Sequence, residues 1–142
     1  FYLALMWALD LRTRFLGKHT LFRGPLGWAM RRWGGIPVDR SHPHGSVGQV
    51  VRLFQDSDEL IVVMAPEGTR RFTERWRTGF YHIAVGAKVP IVLGFLDFGR
   101  KRVGFGPVFW PTGDMDADMA TIRSFYQEFR GKHPDRGSRV AV

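Results

Sequence analysis

The stretch from Leu60 to Arg70, L-I-V-V-M-A-P-E-G-T-R, most constrains what this chain can fold into. The apolar run Leu60 to Met64 is too short for a helix, β-branched in its middle and soon stopped by Pro66, which predicts a strand buried on both faces. Such strands belong to parallel sheets, and in open parallel sheets ligands gather beyond the carboxyl ends of the strands. Glu67, Gly68, Thr69 and Arg70 follow at that place. Glu67 offers an acceptor, Gly68 lets a ligand approach the backbone, Thr69 adds a hydroxyl, and Arg70 supplies a fixed-charge fork that suits a phosphate. Taken alone, these residues fit a solvated strand-to-loop turn equally well, so other stretches must decide.

The pattern around this strand predicts an α/β fold, with a mainly parallel central sheet flanked by helices. Phe1 to Asp10 suits a buried helix and Arg12 to Lys18 a short strand around Phe15 and Leu16. Pro25 opens an amphipathic helix with Leu26, Ala29, Met30 and Trp33 on one stripe, ending at Gly34-Gly35. Trp7, Trp28 and Trp33 are thereby assigned to the core. Ile36 to Val38 is extended, Ser41 to Gly45 is a loop, and Ser46-x-x-Gln49 reads as a capping box opening a one-faced helix through Phe54. Beyond the key strand, Arg71 to Thr78 is a charged loop with exposed Phe72 and Trp76. Gly79 to Ala87 is a helix closing at Lys88, and Pro90 to Phe95 is a second apolar strand. Lys101 to Val108 reads as an edge strand at the sheet margin. Asp114, Asp116 and Asp118 crowd a helix start ahead of an apolar face of Met119, Ile122, Phe125, Tyr126 and Phe129. From Gly131 the chain is polar. With no repeat, linker or low-complexity block, the 142 residues are expected to form a single domain.

Twenty-one Lys and Arg against thirteen Asp and Glu give a formal charge of +8, so the expected partner is anionic: a phosphorylated substrate, an anionic lipid or a nucleic acid. Composition does not choose among them. The absence of cysteine removes disulfides, thiolate zinc sites and a Cys nucleophile, and fits a reducing compartment. The longest apolar runs, Phe1 to Leu9 and Leu60 to Ala65, fall far short of the ~20 residues of a membrane-spanning helix, so membrane contact is expected to be peripheral. G-K-H-T at Gly17 to Thr20 imitates the end of a phosphate loop, yet Arg12 stands where the earlier glycine is needed. His42-Pro43-His44 lacks a third metal ligand, His82 falls inside a helix where a packed role outweighs that of a base, and there is no G-x-S-x-G.

Three features align in order: G-G-I-P-V-D-R at Gly34 to Arg40, A-P-E-G-T-R at Ala65 to Arg70, and K-V-P-I-V-L at Lys88 to Leu93. Together with T-G-F-Y-H-I-A at Thr78 to Ala84, they resemble the glycerolipid acyltransferase family, whose best-known members acylate lysophosphatidic acid. The resemblance covers Phe15 to about Phe95, and E-G-T-R in its strand-end context is its specific element. It implies that Arg40, Glu67, Gly68, Thr69 and Arg70 bind a phosphorylated acceptor, while Gly35 and Pro90 are structural or acyl-adjacent.

The family's catalytic block is His, four residues, Asp. Five positions after His19, His42, His44, His82 and His133 stand Gly24, Val47, Gln49, Ala87 and Ser138, so no histidine here has that aspartate. In the family the block precedes a helix like Phe1 to Leu9, so it is expected immediately before Phe1, and no catalytic residue is assigned within the 142. The implied chemistry is attack of an acceptor hydroxyl on an acyl thioester, with acyl-CoA or acyl carrier protein as co-substrate and neither metal nor other cofactor. The implied setting is cytoplasmic, on an anionic inner membrane face, with no nucleic-acid partner. A non-catalytic basic module that binds anionic lipid or nucleic acid is the alternative, kept open by the missing dyad.

Overall fold

The computed structural model describes residues 11–38, 43–69, 72–131 and 140, without the side chains of residues 43 and 44. The expected helix over Phe1 to Asp10 and almost all of the polar stretch after Gly131 lie outside the described residues. The chain divides into two compact units, Phe1–Met64 and Ala65–Val142.

The first unit holds β1 (Thr13–Lys18), a 3-10 turn (His19–Phe22), α1 (Gly24–Arg32), β2 (Gly35–Val38), α2 (Pro43–Gln55) and β3 (Ile61–Val63). Its sheet has the order β2-β1-β3 and is parallel throughout, with Phe15 of β1 opposite Gly35 on one side and Val63 on the other. β1 therefore takes the middle place in this sheet. β3 is a three-residue edge strand, and Ile61 is 47% exposed rather than buried on both faces. An apolar run shows that a strand is buried somewhere, but order in the sheet depends on which neighbours pair with it, and among the described residues β3 pairs only with β1.

Phe22 is the packing hub of this unit. A Cβ on Gly17 of β1 or Gly35 of β2 would lie 2.8 or 2.7 Å from its ring, and one on Gly27 of α1 would run into its carbonyl. Gly17 and Gly35 let two strands close on one aromatic ring, and Gly27 lets α1 close on the backbone of the same residue. Gly17 is thus a packing residue. The Arg31 guanidinium lies 5.5 Å from the centre of the Phe22 ring, within cation–π range. Because α1 meets its neighbours through Gly27, its large residues are left outside: Leu26, Trp28 and Trp33 are 58%, 72% and 61% exposed, which overturns their assignment to the core.

α2 begins at Pro43 instead of Ser46, with proline in the first turn, where its missing N–H costs nothing. Ser46 and Gln49 therefore lie inside the helix and do not cap it. The Gln49 side-chain amide instead donates to the Pro37 carbonyl (3.1 Å), tying α2 to β2.

The second unit contains α3 (Gly79–Ala87), β4 (Ile91–Asp97), β5 (Arg102–Phe109) and α4 (Met115–Tyr126). α3 has the predicted bounds and closes on Lys88 in the left-handed conformation, φ 56°. β4 and β5 form an antiparallel pair, so β5 is a hairpin partner of β4 and not a margin of the parallel sheet. Val92 faces Val108 and Gly94 faces Phe105, leaving Gly106 and Pro107 opposite Leu93 in a bulge. Proline is tolerated there because no ladder N–H is required of it. Leu93, Met119 and Ile122 form the buried core, with Phe80, Phe109 and Phe125 packed against it. The described strands are thus a three-stranded parallel sheet and an antiparallel pair, an α/β arrangement with four α-helices among the described residues.

Candidate functional site

In the first unit the parallel direction of the strands brings three carboxyl ends to one edge: β1 stops at Lys18, β2 at Val38 and β3 at Val63. Lys18 is exposed there, a cation that sequence patterning did not single out. Val38 is two residues ahead of Arg40. Arg40 itself lies outside the described residues, as do Arg70 and His42. Gly35 is buried in β2, where an added Cβ would also meet the Met30 carbonyl at 2.7 Å, so its place is fixed by packing.

Glu67, Gly68 and Thr69 come together in one turn at the start of the second unit. The Gly68 N–H donates to the Ala65 carbonyl (3.1 Å), and Gly68 has φ +64°, a conformation that glycine adopts without a Cβ penalty. Glu67 is half-buried and Thr69 is exposed. The turn is held from the far side of its loop, where the Arg77 N–H donates to the Pro66 carbonyl at 2.8 Å. The Arg77 side chain lies across Gly68 so closely that a Cβ there would stand 2.8 Å from both Cδ and Nε. Two bulky residues cannot share that space. Patterning had placed Arg77 merely in a charged loop; the signal available in the sequence was a glycine in E-G-T-R paired with a long cation just before a helix.

The loop is anchored by Trp76, which is half-buried, edge-on to Phe80 and Tyr126 with ring centres 6.2 and 5.6 Å away. Its expected exposure is thereby corrected, because the Tyr126 and Phe80 faces compete successfully with water for the indole. Phe72 is exposed as expected. Pro90 is exposed and leads into β4.

Within the second unit, α3 is fastened to α4 by a buried carboxylate. The Tyr81 hydroxyl donates to Asp118 Oδ2 (2.7 Å), the Thr112 N–H donates to the same oxygen (2.8 Å), and the Thr112 hydroxyl donates to Oδ1 (2.9 Å). Burial alone would raise the Asp118 pKa, but these hydrogen bonds outweigh it and hold the carboxyl below its usual range. Burial pushes the Tyr81 phenol up, and donation to Asp118 pushes it further. The sequence places Asp118 with Asp114 and Asp116 at a helix start; the cap is Asp114, whose Oδ1 accepts from the Ala117 N–H at 3.2 Å. Among the described residues no group of three His, Asp or Glu side chains is placed to hold a metal ion. His82 is exposed on α3 with its ring edge-on to Tyr81.

The first unit is thus a parallel sheet with three strand ends at one edge, and the second opens with a glycine turn crossed by Arg77. A family model described as Acyltransferase matches residues 2–92, more than half of the chain, and the chain belongs to that family. It is 36% identical over 91 residues to a 1-acyl-sn-glycerol-3-phosphate acyltransferase of Haemophilus influenzae, covering 57% of this chain and 36% of that protein. It is 34% identical over 87 residues to the protein of the same name from Escherichia coli, covering 54% of this chain and 34% of the relative. The chain thus spans about a third of the length of the curated relatives it matches. No solved structure matches it.

Proposed function

We propose that this chain is the acceptor-binding part of an O-acyltransferase of phospholipid biosynthesis. The enzyme moves a fatty acyl group from acyl-CoA or acyl carrier protein to a hydroxyl of a lysophosphatidic-acid-like acceptor. The observation that carries the proposal is the family match over residues 2–92, which includes Gly35, Arg40, the Glu67–Arg70 element and Pro90. In the reaction, the acceptor oxygen attacks the thioester carbonyl carbon, its proton passes to a histidine base, and the C–S bond breaks to release the thiol. No histidine of this chain has an aspartate five positions on, so neither the base nor its orienting aspartate is assigned within the 142 residues. Arg40 and Arg70 hold the acceptor phosphate, which turns an encounter between two lipids into a step between oriented groups.

The test is steady-state kinetics of the full-length protein with lysophosphatidic acid and an acyl thioester. Arg40→Ala and Arg70→Ala should each lower kcat/KM for the acceptor by about 2–4 kcal/mol, since each truncation leaves a phosphate charge unpaired. Unchanged acceptor kinetics in both variants would remove the site assignment, and no thioester-dependent transfer by the wild type would remove the activity.

One observation favours a peripheral membrane setting for the same protein. Leu26, Trp28 and Trp33 are exposed on and beside α1, with Arg23, Arg31 and Arg32 exposed on the same short segment. Apolar and aromatic residues interleaved with arginine suit the interface of an anionic bilayer. Among the described residues no helix is long and apolar enough to cross a membrane.

A further inference from the structure

We propose that Arg77 is a phosphate-recognition residue of the acceptor site, its side chain seated on Gly68 so that it brings a positive charge to the Glu67–Thr69 turn. This rests on the acyltransferase proposal and identifies which side chain reads the acceptor's charge. Two independent contacts place Arg77 against the turn: its N–H donates to the Pro66 carbonyl at 2.8 Å, and its Cδ and Nε occupy the space where a Gly68 Cβ would stand, 2.8 Å from each. The side chain is thus directed by two features of the turn itself, the bare α-carbon of Gly68 and its left-handed φ of +64°. Among the described residues no carboxylate forms a salt bridge with Arg77, and the residue is exposed. An arginine held by its stem with its donors uncommitted suits an oxyanion, because the planar fork meets two phosphate oxygens at once and less rotamer freedom is lost on binding. The glycine of E-G-T-R gains a role beyond turn geometry: it is the seat of this side chain.

The experiment compares the full-length wild type with Arg77→Gln, Arg77→Lys and Gly68→Ala. The acceptors are lysophosphatidic acid and the monoacylglycerol of the same chain length, both in neutral detergent micelles. Direct binding of lysophosphatidic acid to each protein is measured by calorimetry, so that the comparison does not depend on turnover. Glutamine keeps a polar stem over Gly68 and removes the charge. The preference for the phosphorylated acceptor should then fall roughly ten- to hundred-fold, the loss of one or two charge-assisted hydrogen bonds, and it should appear in KM and in the calorimetric affinity. Lysine should retain an intermediate preference, because it restores the charge without the fork. Gly68→Ala should lower the preference in the same direction, and its effect should vanish in the Arg77→Gln background. A wild-type preference in Arg77→Gln with undiminished affinity for lysophosphatidic acid would overturn the role of Arg77 and leave the acyltransferase proposal standing. A wild type that transfers acyl groups with no preference for phosphate would overturn both the acceptor class and Arg77.

Discussion

Asp118 shows how much a single side chain can depend on what closes over it. As one of three aspartates near a helix start it belongs by sequence to a solvated, dipole-favoured first turn, yet it is buried and takes hydrogen bonds from Tyr81 and Thr112. Tyr81→Phe removes a donor from a buried charge and should cost about 1.5–3 kcal/mol in urea unfolding at neutral pH. The pH dependence follows from the sign of the shift. With the folded-state pKa lowered, the unfolded chain binds more protons in the window below about 3.9, the ordinary value. The contribution of Asp118 is therefore present above that pH and lost as pH falls through the folded value. Asp97, buried at the end of β4, adds in the same direction: burial raises its pKa, and the backbone N–H groups of Arg100 and Gly99 help to offset that and lower it. Urea midpoints should drop steeply below about pH 4, and Asp118→Asn should be less stable at pH 7 with a shallower acid limb. An acid limb identical to the wild type would mean that Asp118 is not the group being titrated. On the alkaline side Tyr81, held neutral, contributes stability that is present below about pH 10 and lost as pH rises through its raised folded value.

At the scale of elements, two helices of similar sequence character behave in opposite ways. α4 buries Met119 and Ile122 completely against Leu93, with Phe125 and Tyr126 closing over them. α1 offers Leu26, Trp28 and Trp33 at comparable spacing and buries Gly27 instead. The difference lies in what each helix meets: α4 lies on a hairpin face with room for large side chains, and α1 meets the backbone at Phe22, where only a residue without Cβ fits. Ile122→Ala should accordingly cost about 2–5 kcal/mol, the transfer free energy plus the cavity left behind. Trp28→Ala should change stability by less than about 0.5 kcal/mol despite removing the larger side chain. Chemical denaturation of the two variants side by side checks this, and a larger loss for Trp28→Ala would place that indole in a core.

Over the whole molecule the formal charge of +8 and the exposed Trp28–Arg32 segment act together. Vesicles containing anionic lipid should hold the protein and release it as salt rises, since exposed charges are screened within about 10 Å at 0.1 M, while neutral vesicles should hold it weakly. Trp28→Ala should weaken vesicle binding while leaving the fold intact. Equal, salt-insensitive sedimentation with neutral and anionic vesicles would contradict the peripheral setting, and tighter binding to oligonucleotides than to vesicles would favour a nucleic-acid module.

The sequence by itself determined where α3 begins and ends, the existence of every described strand, the acidic start of α4 and the family to which the chain belongs. These depend on local chemistry: glycine and proline punctuation, β-branched runs, an aspartate ahead of free N–H groups, and a motif whose residues are adjacent in the chain. Tertiary structure alone decided that β1 is the middle strand, that β4 and β5 pair with each other, and that Trp28 faces water while Asp118 does not. It also decided that Arg77 crosses Gly68, a contact between residues nine positions apart in an irregular loop with no periodicity to reveal it. Burial, sheet order and the aim of a charged side chain depend on which surface arrives opposite each residue, and that surface comes from elsewhere in the chain.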